Sequence, residues 1–104
     1  MNEEKIKSDE NVAEKERVET EEPSLYRVIL LNDDYTTMEF VIYVLETVFH
    51  KLPAEATQIM LNVHKKGAGI CGLYTREIAE TKIVMVHEMA AENQFPLKCT
   101  MEKE

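Results

Sequence analysis

The sequence predicts a two-layer α+β domain of order β-α-α-β-α-β, with three helices packed on a three-stranded antiparallel sheet. Three observations carry the prediction. A β-branched and aromatic run opens the apolar part of the chain, three later stretches place apolar residues at helical spacing, and an alternating run closes it.

Leu25-Tyr26-Arg27-Val28-Ile29-Leu30-Leu31 is the first strand. Asn32-Asp33-Asp34-Tyr35 ends it, since Asn and Asp favour turns. Thr36 and Glu39 have the spacing of a capping box, and Val41, Val44, Leu45, Val48 and Phe49 follow at helical intervals, predicting a helix over 37–50. Pro53 suits the first turn of a second helix, whose apolar face is Ala56, Ile59, Met60 and Val63 and whose cap is Gly67. Ala68 to Tyr74 reads as a second strand, in which Gly69 and Gly72 permit a bulge or close packing. Thr75 can N-cap a third helix over about 76–93 with face Ala79, Ile83, Val86 and Ala90. Leu97, Cys99 and Met101 alternate with polar residues, as a half-buried third strand does.

The charge divides the chain of 104 residues. Residues 1–24 hold nine acids and four bases with few apolar side chains, so they are expected to be a disordered extension. The core, 25–104, holds nearly all the large apolar residues. The overall charge of −8 offers no excess of cations for nucleic acid or for an anionic membrane surface. No apolar run approaches the roughly 20 residues needed to span a bilayer, and the N-terminal stretch lacks the apolar centre of a signal peptide. Cys71 and Cys99 form no metal or disulfide pattern and read as buried thiols, so a cytoplasmic location is expected. No heptad run marks an oligomer seam, and a monomer is expected.

Among the polar residues, Asn32-Asp33-Asp34 stands out. Either aspartate can serve the turn by accepting a backbone N–H; Asp33 is the less needed there if Thr36 caps the helix. Together with His64, near the end of the second helix, the loop offers a carbonyl, a charge and an imidazole lone pair, the groups that hold an ammonium with three donors. A divalent metal on Asp33, Asp34 and His64 is a second option, although the spacing matches no standard site. His50 reads as a helix-end residue and His87 as a solvated one. Met85 and Met89 read as core filler, whereas Met38 follows the polar loop and can wall a pocket beside it. Catalysis finds no motif: no nucleophile has an evident base, and there is no phosphate loop. The chain is expected not to be an enzyme, and no cofactor is implied.

The blocks Tyr26 to Val41, Ala56 to His64, Cys71 to Thr75, Ala79 to Lys82 and Pro96 to Cys99 resemble, in register, the ClpS family of adaptors of the ClpAP protease. The resemblance covers about 25–103 and implies a fold like the C-terminal domain of the ribosomal stalk protein. It implies binding of proteins that begin with Leu, Phe, Tyr or Trp and their delivery to the ClpA unfoldase. On this chain it assigns the α-amino group to Asn32, Asp33 and His64, with Asp34 shaping the loop. It assigns the side-chain pocket to Thr36, Met38, Val41, Met60, Val63 and Leu97, and the ClpA-facing surface to Glu77 and Lys82. The family commonly has Pro where this chain has Thr37.

The implied chemistry is coherent. His64 must offer a neutral nitrogen, so its protonation weakens binding. Met38 would crowd a β-branched first residue, disfavouring Val and Ile. The extension, about 80 Å if fully extended, is long enough to enter an unfoldase pore. Two other readings stand beside this one: a docking module on the same fold that ignores free amines, and a metal-dependent hydrolase built on Asp33, Asp34 and His64.

Overall fold

The computed structural model describes residues 22–104. The expectation of disorder over 1–24 falls outside the described residues up to position 21, and residues 22–24 carry no helix or strand. The element order is β1 (Leu25–Leu31), α1 (Met38–Thr47), α2 (Pro53–Lys66), β2 (Ala68–Thr75), α3 (Arg76–Glu92) and β3 (Lys98–Lys103). This is the β-α-α-β-α-β order that the hydrophobic pattern predicts.

The sheet order is β2-β1-β3, with both pairings antiparallel. Leu30 sits between Gly69 on one side and Cys99 on the other. The β1–β2 register slips where Val28 faces Gly72 but Ile29 faces Ile70, so Cys71 is an extra residue in β2. The bulge thus falls beside Gly72, and Gly69 serves the other purpose open to glycine here. A Cβ on Gly69 would lie 2.7 Å from the Val63 side chain and 3.0 Å from the Ile59 carbonyl oxygen. Its absence lets β2 lie directly against α2.

One face of the sheet joins the core. Val28, Leu30 and Cys71 are fully buried with Val44, Leu45 and Val48 of the α1 segment and Val86 of α3. The other face is open, leaving Ile70 and Leu73 about half exposed. Burial pushes the Cys99 thiol up to about 12 and the Cys71 thiol higher still, with Cys99 adding to the shift at Cys71. Both thiols therefore stay protonated and unreactive in the fold.

Five local expectations are corrected. The cap of α1 is Thr37, whose hydroxyl accepts from the Phe40 amide at 3.1 Å, because Thr36 is already engaged with Asp33. Helix α1 ends at Thr47 rather than 50, since His50 takes a left-handed φ of 56° and turns the chain toward α2. Thr75 occupies the α3 cap position without a side-chain cap bond. Met85 stands exposed, whereas Met89 does pack against the core. His87 also differs from expectation: its Nε2 accepts from the Cys99 amide at 3.0 Å and so satisfies an outward-facing group of the edge strand β3.

Candidate functional site

The turn after β1 is built by its own side chains. Asp33 Oδ1 accepts from the amides of Tyr35 at 2.8 Å and Thr36 at 2.7 Å, and Oδ2 accepts from the Thr36 hydroxyl at 2.7 Å. Partial burial pushes the Asp33 carboxyl up. The bonds from the Thr36 hydroxyl and from the two amides act the other way and outweigh it, holding the group below the usual carboxylate value. Thr37 then opens α1 immediately behind this turn.

A second constraint ties the turn to α2. Gly67 ends that helix at a φ of 90°, and its carbonyl accepts from the Asn32 amide at 3.0 Å. Asn32 is thereby fixed one short segment from His64, which lies in the last turn of α2.

Between these elements lies a cavity of about 440 Å³. Its polar rim comes from residues 32–37 and His64, and its apolar wall from Met38, Val41, Met60 and Val63. Val41, Met60 and Val63 are buried, while Met38 is 46% exposed and flanks the mouth. An open polar rim above an apolar pocket suits a ligand with a charged end and a hydrophobic side chain.

Asn32, Asp33, Asp34, Thr36, Met38, Val41, Met60, Val63 and His64 all line this one cavity. Leu97 does not: it is buried beside β3 and lines a separate groove with His87 and Phe95. Asp33 lines the cavity and also braces the loop, with three internal hydrogen bonds. Asp34 is exposed, and its carboxylate makes no side-chain hydrogen bond or ion pair among the described residues. Tyr35 and Thr37 line the cavity unforeseen. For Thr37 the signal was present, since two adjacent threonines offered two registers for the helix cap.

Glu77 and Lys82 both lie on α3, five residues apart. Glu77 is exposed in the first turn of α3, in a shallow depression with Val84 and Met85. Lys82 is half-buried, and its Nζ donates to the Val48 carbonyl at 2.8 Å. The same amine lies 5.8 Å from the ring centre of Phe49 and 5.4 Å from that of Tyr74. Among the described residues, no group of three or more His, Cys, Asp or Glu is placed to hold a metal ion. No described helix is long and apolar enough to cross a membrane.

A family model described as "ATP-dependent Clp protease adaptor protein ClpS" matches residues 21–100. The chain belongs to the ClpS family, the adaptors of the ATP-dependent Clp protease. It is 54% identical over 94 residues to a ClpS adapter of Hyphomonas neptunium, covering 90% of this chain and 80% of that one. It is 60% identical over 85 residues to one from Caulobacter vibrioides strain NA1000, covering 82% and 78%. The solved structure of Agrobacterium tumefaciens ClpS2 bound to L-phenylalaninamide superposes with a TM-score of 0.77 at 41% identity, covering 80% of this chain and all of that one.

Proposed function

We propose that the chain binds proteins through a free N-terminal amine and a bulky first side chain of the Leu, Phe, Tyr or Trp type, and delivers them to the ClpA unfoldase. The observation that carries this reading is one cavity whose polar rim includes Asn32, Asp33 and His64 beside an apolar wall. The ligand of the Agrobacterium tumefaciens structure, phenylalaninamide, has the same two-part chemistry.

In this reading Asp33 supplies the charge opposite the ammonium while its internal hydrogen bonds hold the loop in shape, and Asn32 and His64 supply neutral acceptors. A hydrogen bond to a charged group contributes roughly 1.5–3 kcal/mol. Burying a Leu or Phe side chain adds about 1.5–3 kcal/mol. Less the cost of association, the sum corresponds to a Kd on the order of micromolar to tens of nanomolar. Exposed Glu77 belongs to the surface offered to ClpA, whereas Lys82 supports that surface from beneath by holding the end of α1. Removing residues 1–20 should leave peptide binding intact and stop delivery.

The test is fluorescence anisotropy with a labelled peptide that begins with Phe, beside its N-acetylated twin. Acetylation removes the charge and leaves the acceptors unpaired, so binding of the twin should fall steeply. Equal binding of the two would discard free-amine recognition in favour of a docking module.

A further inference from the structure

We infer that Phe95, on the link between α3 and β3, is a positioning residue for the binding cavity: its ring backs the first turn of α1 and so sets the width open to a substrate's first side chain. The inference rests on the reading of that cavity as a free-amine site, and adds to it what tunes the cavity's size.

The link is held by its own backbone. The amides of Gln94 and Phe95 donate to the carbonyls of Ala91 at 3.1 Å and Ala90 at 2.9 Å, and Gln94 takes a left-handed φ of 64°. These bonds end α3 and fix where Phe95 leaves it. The half-buried Phe95 ring packs on the core, its centre 4.8 Å from that of Phe40 and its plane tilted by 45°. Rings at this separation attract one another beyond the apolar area they cover.

Phe40 belongs to the first turn of α1, between two residues that wall the cavity, Met38 and Val41. At 100° per residue, those two lie about 60° apart around the helix, while Phe40 is about 160° from Met38 and about 100° from Val41. The turn therefore shows one side to the cavity and sets Phe40 against Phe95 on another. Across the cavity stand Met60 and Val63 of α2, so the distance from that wall to α1 is the room a first side chain has. Phe95 lines no part of this cavity and borders a separate groove with Leu97, so it acts on the ligand only through Phe40 and the turn.

Anisotropy of the full chain with labelled peptides that begin with Leu or with Trp, each beside its N-acetylated twin, tests this. The readout is the ratio of the two affinities, which a loss of folded protein alone leaves unchanged. In Phe95→Ala the first turn of α1 can fall back, so the ratio should shift about two- to fivefold toward Trp, the larger side chain, the scale of one aromatic pair. Phe95→Leu keeps apolar bulk without the ring; it should shift the ratio the same way by less, and it carries the test if the alanine variant does not fold. Phe95→Tyr keeps the ring and should keep the parent ratio. A parent ratio in both the alanine and leucine variants, or an equal shift in the tyrosine one, overturns the positioning role while free-amine recognition stands. N-acetylated peptides that bind as well as free ones overturn both.

Discussion

The loop over 32–37 and the turn over 48–51 both lead from one element of the fold to the next, and they are held by opposite means. The side-chain fastening of the first is its own, since every side-chain bond of Asp33 reaches a residue two or three positions away, beside one backbone tie from Asn32 to Gly67. The second is fastened from a distance, by a lysine 34 residues further on that caps the Val48 carbonyl from α3. A locally closed loop needs no covering and can leave Asn32, Asp34 and Tyr35 turned to solvent around a cavity. A turn held by a distant amine must instead be packed beneath that amine, and Val48 and Phe49 are accordingly buried. The difference separates a segment that meets ligands from one that belongs to the core.

The largest effect should come from removing the loop's own fastener. Asp33→Ala leaves two amides and a hydroxyl without their acceptor, and should cost roughly 1–3 kcal/mol of stability in urea titrations. Free-amine peptides should bind more than tenfold more weakly, because the charge proposed to meet the ammonium is lost and Asn32 loses its fixed position. Acid should act on the same point. The folded Asp33 carboxyl titrates below its usual value, so its contribution is complete above the usual carboxylate range and is lost as pH falls through the lowered value. A variant that folds and binds peptide like the parent would show that the loop is shaped by something other than this carboxylate.

The same contrast explains what was legible in the sequence. All six elements could be read, because strand composition, helical spacing and the Pro53 and Gly67 boundary signals are local. The cluster around Asn32 and His64 could be read in its membership, since the loop is continuous and His64 ends the neighbouring helix. Which aspartate braces the loop could not. Both aspartates satisfy the same turn statistics, and only the placement of the Thr36 hydroxyl decides which is engaged. Leu97 was placed in the pocket by resemblance, yet its position depends on how the chain crosses from α3 to β3, a long-range matter. The Lys82–Val48 and His87–Cys99 bonds were unreadable for the same reason, since each spans twelve or more residues.

A smaller effect should follow from cutting the distant fastener. Lys82→Met keeps the length of the side chain and its apolar stem but removes the donor to Val48 and the charge over Phe49 and Tyr74. One neutral acceptor is uncapped and two weak cation–π contacts are lost, which together cost about 1–2 kcal/mol. Thermal unfolding should detect this, while affinity for a free-amine peptide should stay within about twofold because no cavity wall has moved. Weakened peptide binding in Lys82→Met would contradict the separation of the two segments. If ClpA binding falls in this variant, it should fall together with stability, as expected of a residue that acts through the turn it holds.

The finest test lies at Thr37, where the loop becomes a helix. Its hydroxyl accepts the Phe40 amide, one of the otherwise unpaired donors at the start of α1, and its backbone is extended at φ −75° and ψ 154°. Removing that acceptor in Thr37→Ala should cost about 1 kcal/mol, and Thr37→Ser should cost little because serine caps as well as threonine. The first turn of α1 carries Met38, which flanks the cavity mouth, so fraying there should also loosen the wall against which a first side chain rests. Affinity for a Phe-initiated peptide should then fall about two- to threefold in the alanine variant and recover in the serine one, a change smaller than any ascribed to the loop itself. Thr37→Pro separates the cap from the backbone. Proline fits the observed φ but offers no side-chain acceptor, so it should lower stability less than alanine does by restricting the unfolded chain, while still leaving Phe40 uncapped. If alanine and serine variants behave alike, the start of α1 is set by Asp33 and Thr36 alone, and the local fastening of the loop ends one residue earlier than the hydrogen bonds indicate.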